Sequence, residues 1–403
     1  CIRERTINPR DLLLCLVTTM NCENTESIAD IHRRLVEYTG QDITYRAMYN
    51  QFSKESFPVF MREALSSMLT EWLEPAQAFP GKSPFSRFQQ ILIQDGSSFA
   101  LRDNLRDAFP GRFSSVSPAA VELHATLDLL ADQVCSITLT PDTASEREQL
   151  PEVEALSESL ILLDRGYFDL DWFQRLSESG GYFIARCLND VNPRVEQVWS
   201  ERGKALKWGA GKPLKQIRTS LLKKQRTELA VCWTLNGQRQ FRARMIAFWN
   251  ADEGRYTWLL TNLPREAFST ADVSDAYRLR WQVELLFKEW KSYANLHRFS
   301  TGNAHIAEGL IWASLAAAVL RRTISHGAQA LSGRAISTRR VAMSCASSLT
   351  QYMICLLQHQ RSTAERWLRY ILEYLGQYAQ RSNPGREKRT GRSKLGLAPI
   401  GCA

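Results

Sequence analysis

The 403 residues are 44% hydrophobic and 10% aromatic, enough to bury a sizeable core, which excludes wholesale disorder. That length predicts two or three domains. The net charge of +9 falls in blocks: residues 194–244 carry thirteen Lys/Arg against three glutamates, and residues 381–394 six against Glu387 alone. Clustered positive charge attracts a phosphate backbone through counterion release and steering; the plainer alternative is a solvated, solubilising face. The longest apolar run, residues 309–320, has twelve residues, short of the roughly 20 that a span requires, so it predicts a buried helix and no membrane partner. Nine scattered cysteines form no CxxC pair, which excludes a zinc ribbon, argues against a disulfide framework and predicts a reducing, cytoplasmic setting. No export signal precedes the first helix, and the opening at Cys1 without methionine suggests a few missing residues.

Up to about residue 85 the chain reads as helical. Residues 28–38 space their apolar side chains by three and four, a turn follows at Thr39-Gly40-Gln41-Asp42, and further helices are predicted from about Thr44 and over 59–72. This helix–turn–helix pattern is compatible with a DNA-reading element using Tyr45, Arg46, Asn50 and Gln51, or with ordinary packing. Residues 91–93, 160–163 and 182–188 read as strands, and 121–129 and 134–139 alternate as half-buried strands do. A helix over 171–178 adds the α/β rhythm of a mixed domain. That rhythm stops over 193–247, where Asn236-Gly237 between 227–235 and 240–248 predicts a β-hairpin. Residues 256–260 resume it, followed by one long helix over 273–293 and a helical region over 306–377.

Asp95 and Asp164 each follow an aliphatic run and precede a polar or glycine turn, which places both at the C-terminal ends of buried strands, where ligands bind α/β sheets. Two such carboxylates held together repel and call for a hard cation such as Mg2+ or Mn2+; either one alone could be a simple turn. On the predicted helix, Tyr277, Arg280, Glu284, Lys288 and Lys291 fall within an arc of about 80°. Leu279, Val283, Leu286, Phe287, Trp290 and Tyr293 occupy the other side. The arc reads either as an acid flanked by bases for function or as a salt-bridged surface.

The spacing Tyr277-x2-Arg280-x3-Glu284-x6-Lys291 resembles the Tyr-Arg-Glu-Lys signature of bacterial insertion-sequence DDE transposases, and IQDGS, LLDRGYF and YTWLLTNLP resemble further segments of that family in the family's order. The acidic stretch ASEREQLPEVEALSES departs from it without touching these motifs. The resemblance implies an α/β fold: a ribonuclease-H-like catalytic core (86–190 and 256–330) interrupted by a β-rich basic insertion (191–255). A helical DNA-binding domain (1–85) and a C-terminal helical region with a basic tail (331–403) flank it. It implies that Asp95, Asp164 and Glu284 are catalytic and bind two Mg2+ ions, with Mn2+ as substitute. Such a pair activates a nucleophilic oxygen and stabilises a leaving 3′ oxygen at phosphorus. It further implies that Tyr277, Arg280, Lys288 and Lys291 contact DNA phosphates, with Arg186 as a further candidate. The implied partners are double-stranded DNA, as terminal inverted repeats and target, and a second copy in the DNA complex, at the bacterial nucleoid. An inactive or domesticated DNA-binding protein of the same fold is the alternative. A glycosidase is disfavoured by the Lys/Arg excess beside Glu284. Trp199, Trp208, Trp233 and Trp249 are read as core or as stacking platforms, and His124, His297 and His305 as satisfied polar residues.

Overall fold

The computed structural model describes residues 7–21, 27–71, 83–222, 225–237, 239–251, 253–294, 296 and 301–382. The expected basic tail and His297 therefore lie largely outside the described residues. Helices α1 (Pro9–Met20), α2 (Ile28–Thr39), α3 (Tyr45–Phe52) and α4 (Ser56–Glu71) come first. The start of α2 is set by a capping box between Ser27 and Asp30, and its end by Gly40 in the left-handed conformation (φ 66°), as the Thr39–Asp42 turn predicts.

Strands β1 (Ile91–Ala100), β2 (Ala120–Asp128), β3 (Gln133–Pro141) and β4 (Leu160–Leu163) follow, then α5 (Leu170–Glu178) and β5 (Tyr182–Arg186). Next come β6 (Arg194–Ser200), β7 (Ala205–Leu206), the single turn α6 (Leu214–Ile217), β8 (Thr227–Leu235), β9 (Arg239–Asn250) and β10 (Arg255–Thr261). Asn236 and Gly237 both take positive φ (48° and 76°) between β8 and β9, the conformation a two-residue type I′ hairpin turn needs. All ten strands join one sheet in the order β3-β2-β1-β4-β5-β10-β9-β8-β6-β7. β1, β4 and β5 run parallel, while β2, β3 and the remaining strands are antiparallel to their neighbours.

Helices α7 (Thr270–Arg278), α8 (Trp281–Tyr293), α9 (Ala304–Ser332), α10 (Thr338–Ser344), α11 (Ala346–Leu357) and α12 (Arg361–Tyr378) complete the chain. Alternate residues of β1 and β4 separate two cores: Ile91, Ile93, Leu160 and Leu162 pack with the long helices, and Leu92, Ile161 and Leu163 with α5. Both faces are therefore covered, as buried parallel strands require. Covering also corrects the expectation for β2. Every residue of β2 is buried, because its polar alternates Glu122, His124, Thr126 and Asp128 are sequestered rather than solvated.

The N-terminal and C-terminal helices pack together, α4 along α9 and α1 against α11. Among the described residues α9 alone is long and apolar enough to cross a membrane, yet 83% of its most apolar window is buried in the protein, as a core helix would be. Gly309 lets α4 approach it: a Cβ there would collide with the ring of Phe57, which stacks on Phe52 at 4.3 Å. Gly309→Ala is expected to lower the denaturant midpoint by an amount equivalent to roughly 1–3 kcal/mol, since neither ring has room to retreat.

Candidate active site

The site begins where parallel pairing ends. The β1–β4 register stops at Gln94↔Leu163, so the next residues along each chain, Asp95 and Asp164, emerge side by side. Asp164 does close its strand, as the sequence predicts, and its backbone then turns into a short 3-10 helix at Arg165–Tyr167. Asp95 does not. β1 continues to Ala100 because β2 pairs with it antiparallel over its whole length, so Asp95 lies mid-strand, at the point where its partner on the other side leaves. Its Oδ1 accepts a hydrogen bond from the Gly96 N–H at 3.0 Å.

The expected single helix over 273–293 is two helices with a tightened turn between them. Leu279, Arg280, Gln282 and Val283 donate to carbonyls three residues back, which replaces the α pattern by a 3-10 turn. Tyr277 therefore lies in the last turn of α7, which ends at Arg278, while Arg280 is the N-cap of α8. Leu279, Val283, Leu286, Phe287 and Trp290 are buried as the periodicity predicts, and the other face, with Arg280 and Lys291, turns towards β1. From there the Tyr277 hydroxyl donates to Asp164 Oδ1 at 3.2 Å. The Arg280 guanidinium spans two acids, donating to Asp95 Oδ2 at 2.7 Å and to Glu284 Oε1 at 2.6 Å. Lys291 donates to the Ser98 carbonyl at 2.6 Å, pinning α8 along β1. Lys288 is exposed.

Electrostatics tie Asp95 to the other two acids. Burial pushes the Asp95 carboxyl up to about 6 against the pull of Arg280, and Asp164 and Glu284 push it the same way. Burial, then the Asp164 charge, also raises the Tyr277 phenol, which keeps it protonated and able to donate. Two glutamates that sequence reasoning missed stand close by. Glu122 of β2 is 4% exposed, and its Oε1 would lie 2.7 Å from a Cβ at Gly96; Glu146 packs across Gly166, two residues after Asp164. The signal was present: Glu146 belongs to the acidic stretch that departs from the resemblance, and each of the two aspartates is followed within two residues by a glycine whose missing side chain seats a carboxylate.

Burial, then Glu146, pushes the Glu122 carboxyl up to about 7; Asp142 and Asp95 add to this and Arg112 opposes it. A carboxyl raised in the fold binds more protons there than in the unfolded chain. Its contribution is therefore lost as pH rises from the ordinary value towards 7. Glu122→Gln is expected to match the wild type near pH 5 and to exceed it at pH 8 by about 1–2 kcal/mol, read as Tm at the two pH values.

The ions that the resemblance implies can be tested against these side chains. Three carboxylates form a hard-oxygen donor set suited to Mg2+ or Mn2+. Asp95 and Glu284 already share one cation, the Arg280 guanidinium. Among the described residues, however, no three His, Cys, Asp or Glu side chains are gathered closely enough to hold one ion. The chemistry fits, and closure around an ion would require side-chain movement at Arg280.

The remaining candidates take plainer places. Arg186 pairs with Glu253, donating to both carboxylate oxygens at 3.1 Å. His124 is buried between the Tyr167 hydroxyl (2.9 Å) and Thr140 (3.1 Å), and burial lowers it to about 4, so it stays neutral. Trp199 lies under the Arg265 guanidinium at 4.3 Å. Trp249 meets Tyr256 edge to face, in a cleft also lined by Arg218, Arg255 and Trp258. Tyr45, Arg46, Asn50 and Gln51 are all exposed on or beside α3.

Known transposases resemble this chain in sequence. The transposase for insertion sequence element IS231E of Bacillus thuringiensis subsp. finitimus is 21% identical over 328 residues, 73% of this chain and 68% of that protein. The transposase for IS1151 of Clostridium perfringens is 21% identical over 273 residues, 59% of this chain and 57% of the other. The putative transposase InsL of IS186A from Escherichia coli K12 is 35% identical over 86 residues, 21% of this chain and 23% of its own. A cryo-EM structure of the piggyBac transposase synaptic complex with hairpin DNA aligns over 98% of this chain and 85% of that one. Its TM-score of 0.46 and 11% identity are too distant to inform the site. Residues 86–320, which contain Asp95, Asp164 and Glu284, match the transposase DDE domain, and the chain belongs to that family of insertion-sequence transposases.

Proposed function

We propose that this transposase binds the terminal inverted repeats of its element as double-stranded DNA, cuts at the ends and joins the 3′ ends to target DNA. Asp95, Asp164 and Glu284 would be the catalytic carboxylates. The observation that carries the reading is the meeting of Asp95 and Asp164 at the end of parallel β1–β4 pairing, under a helix that brings Glu284 into the same ion-paired cluster. Those three carboxylates would hold two Mg2+ ions, or Mn2+, which when bound supply activation of an attacking oxygen and stabilisation of a leaving one. The chain's own residues do the rest. Tyr277, kept neutral, offers a hydroxyl; Arg280, Lys288 and Lys291 offer cationic donors along one helix; all four suit phosphate oxygens beside the cut. Arg186 is a weaker contact, since it is already paired with Glu253, a carboxylate it shares with Arg255.

The order β3-β2-β1-β4-β5, three antiparallel strands followed by two added in parallel, supports a ribonuclease-H-like core over 86–190 and 256–330. The mainly β stretch 191–255 would be an insertion lining the DNA path, 1–85 a DNA-binding domain, and 331–403 a helical region with its basic tail. A homodimer in the DNA complex, acting at the bacterial nucleoid in the cytoplasm, completes the proposal. End-labelled duplex carrying the element's terminal repeats tests it. Mg2+ should yield strand-specific nicks at the element boundary that EDTA abolishes; retention of the duplex without any nick would favour an inactive DNA-binding protein.

A further inference from the structure

We infer that Arg280 couples cation loading to DNA binding: in the free protein it is the counter-ion of Asp95 and Glu284, and it must leave them for divalent ions to enter, becoming available to a phosphate. The inference rests on the proposed role of the three carboxylates. In the described structure both Asp95 oxygens are engaged, Oδ1 by the Gly96 N–H at 3.0 Å and Oδ2 by Arg280 at 2.7 Å. Glu284 Oε1 is held by the same guanidinium at 2.6 Å. The third acid, Asp164, carries the Tyr277 hydroxyl. Each acid of the set is thus satisfied by a residue of the helix signature that precedes Glu284.

Charge decides which arrangements are stable together. Three carboxylates and one guanidinium leave a deficit of two positive charges. Two divalent ions added with Arg280 still in place would turn this into an excess of two, in a site where the Arg280 side chain is only 16% exposed and screening is weak. A strong charge-assisted hydrogen bond also occupies the oxygen lone pairs that a metal would use. DNA phosphate relieves both conflicts, because its two non-bridging oxygens give the guanidinium fork another anion to grip. Arg280 sits at the break between the two helices, as the N-cap of α8, so its side chain can re-aim by a change of rotamer with the backbone of α8 in place. Linkage then makes the effect reciprocal, with DNA strengthening metal binding and metal strengthening DNA binding.

The test is Mn2+ titration of the full chain, followed by electron paramagnetic resonance and calorimetry, with and without a short duplex of arbitrary sequence. Phosphate contacts need no particular bases. The duplex should tighten Mn2+ binding to the wild type by roughly tenfold. Arg280→Gln should bind Mn2+ without DNA about tenfold tighter than the wild type does, and the duplex should then add little. Arg280→Lys keeps the charge but cannot span both carboxylates, so it should fall between; it carries the test if the glutamine variant fails to fold. Arg280→Gln binding Mn2+ as weakly as the wild type, or more weakly, would overturn the coupling while leaving the metal site intact. Absence of Mn2+ binding in every form, with or without DNA, would overturn the proposed metal role of the carboxylates and the coupling with it.

Discussion

Asp95→Asn, Asp164→Asn and Glu284→Gln are each expected to lower strand cleavage by roughly a thousandfold or more while leaving the fold intact and duplex binding no weaker. All three substitutions keep size and hydrogen-bonding capacity and delete one negative charge, so losses in cleavage cannot be assigned to collapse of the site. Their effects on binding should differ in sign from those of the neighbouring cations. Glu284 is half exposed and holds Arg280 at 2.6 Å, so its neutralisation releases a guanidinium towards the DNA and should tighten binding. Lys291→Ala removes a cation from the same helix and should weaken binding and flatten its salt dependence by roughly one unit of slope. Gel-shift titrations over a range of salt, run beside cleavage assays, separate the two. Cleavage surviving in any of the three carboxylate variants would remove that residue from the catalytic set.

The positions of these residues were legible in the sequence to different depths, for physical reasons. Asp164 was placed at its strand end because four aliphatic residues buried on both faces leave an unmistakable run. The aliphatic run before Asp95 predicts a strand ending there, whereas β1 runs on to Ala100. Beyond Gln94, β1 has a partner on one side only, so its sequence turns polar and small although the strand continues. The break at 279–280 had no signal, since the segment contains neither proline nor glycine. Its cause is tertiary, in the reach of Tyr277 to Asp164 and of Arg280 to Asp95, contacts separated by 113 and 185 residues. Arg186 illustrates the same limit, because its partner Glu253 lies 67 residues away. β2 misled in another way: alternation of polar and apolar residues predicts one wet face, and a buried polar face produces the same pattern when its polar groups find partners. Charge totals were informative about sign and uninformative about availability. The surplus of ten over residues 194–244 already discounts its three glutamates, but Arg239 is taken up by Glu178, which lies outside that stretch.

One of those glutamates should dominate the stability of the strand-rich stretch. Glu228 of β8 is 3% exposed, and its Oε1 accepts from Arg244 Nε at 2.8 Å and from Arg265 Nε at 3.0 Å. Arg244 is itself 9% exposed, and its two terminal nitrogens have no hydrogen-bond partner among the described residues. Arg265, in the segment after β10, covers Trp199 of β6, the residue that faces Glu228 across the β6–β8 ladder. One carboxylate therefore ties β6, β8, β9 and the approach to α7. Glu228→Ala leaves a buried guanidinium without a counter-charge and is expected to cost about 3–5 kcal/mol in urea unfolding. Adding Arg244→Met to it should recover most of that loss, because an apolar side chain of similar length needs no partner. Glu196→Ala is the matched control. Its pair with Arg242 has the same 3.0 Å length as the Arg265–Glu228 pair, but both side chains are solvated, at 37% and 66% exposure, so the loss should stay below about 1 kcal/mol. Equal losses at Glu228 and Glu196 would show that burial does not govern these pairs, and the strand-rich stretch would then owe its stability to its apolar core alone.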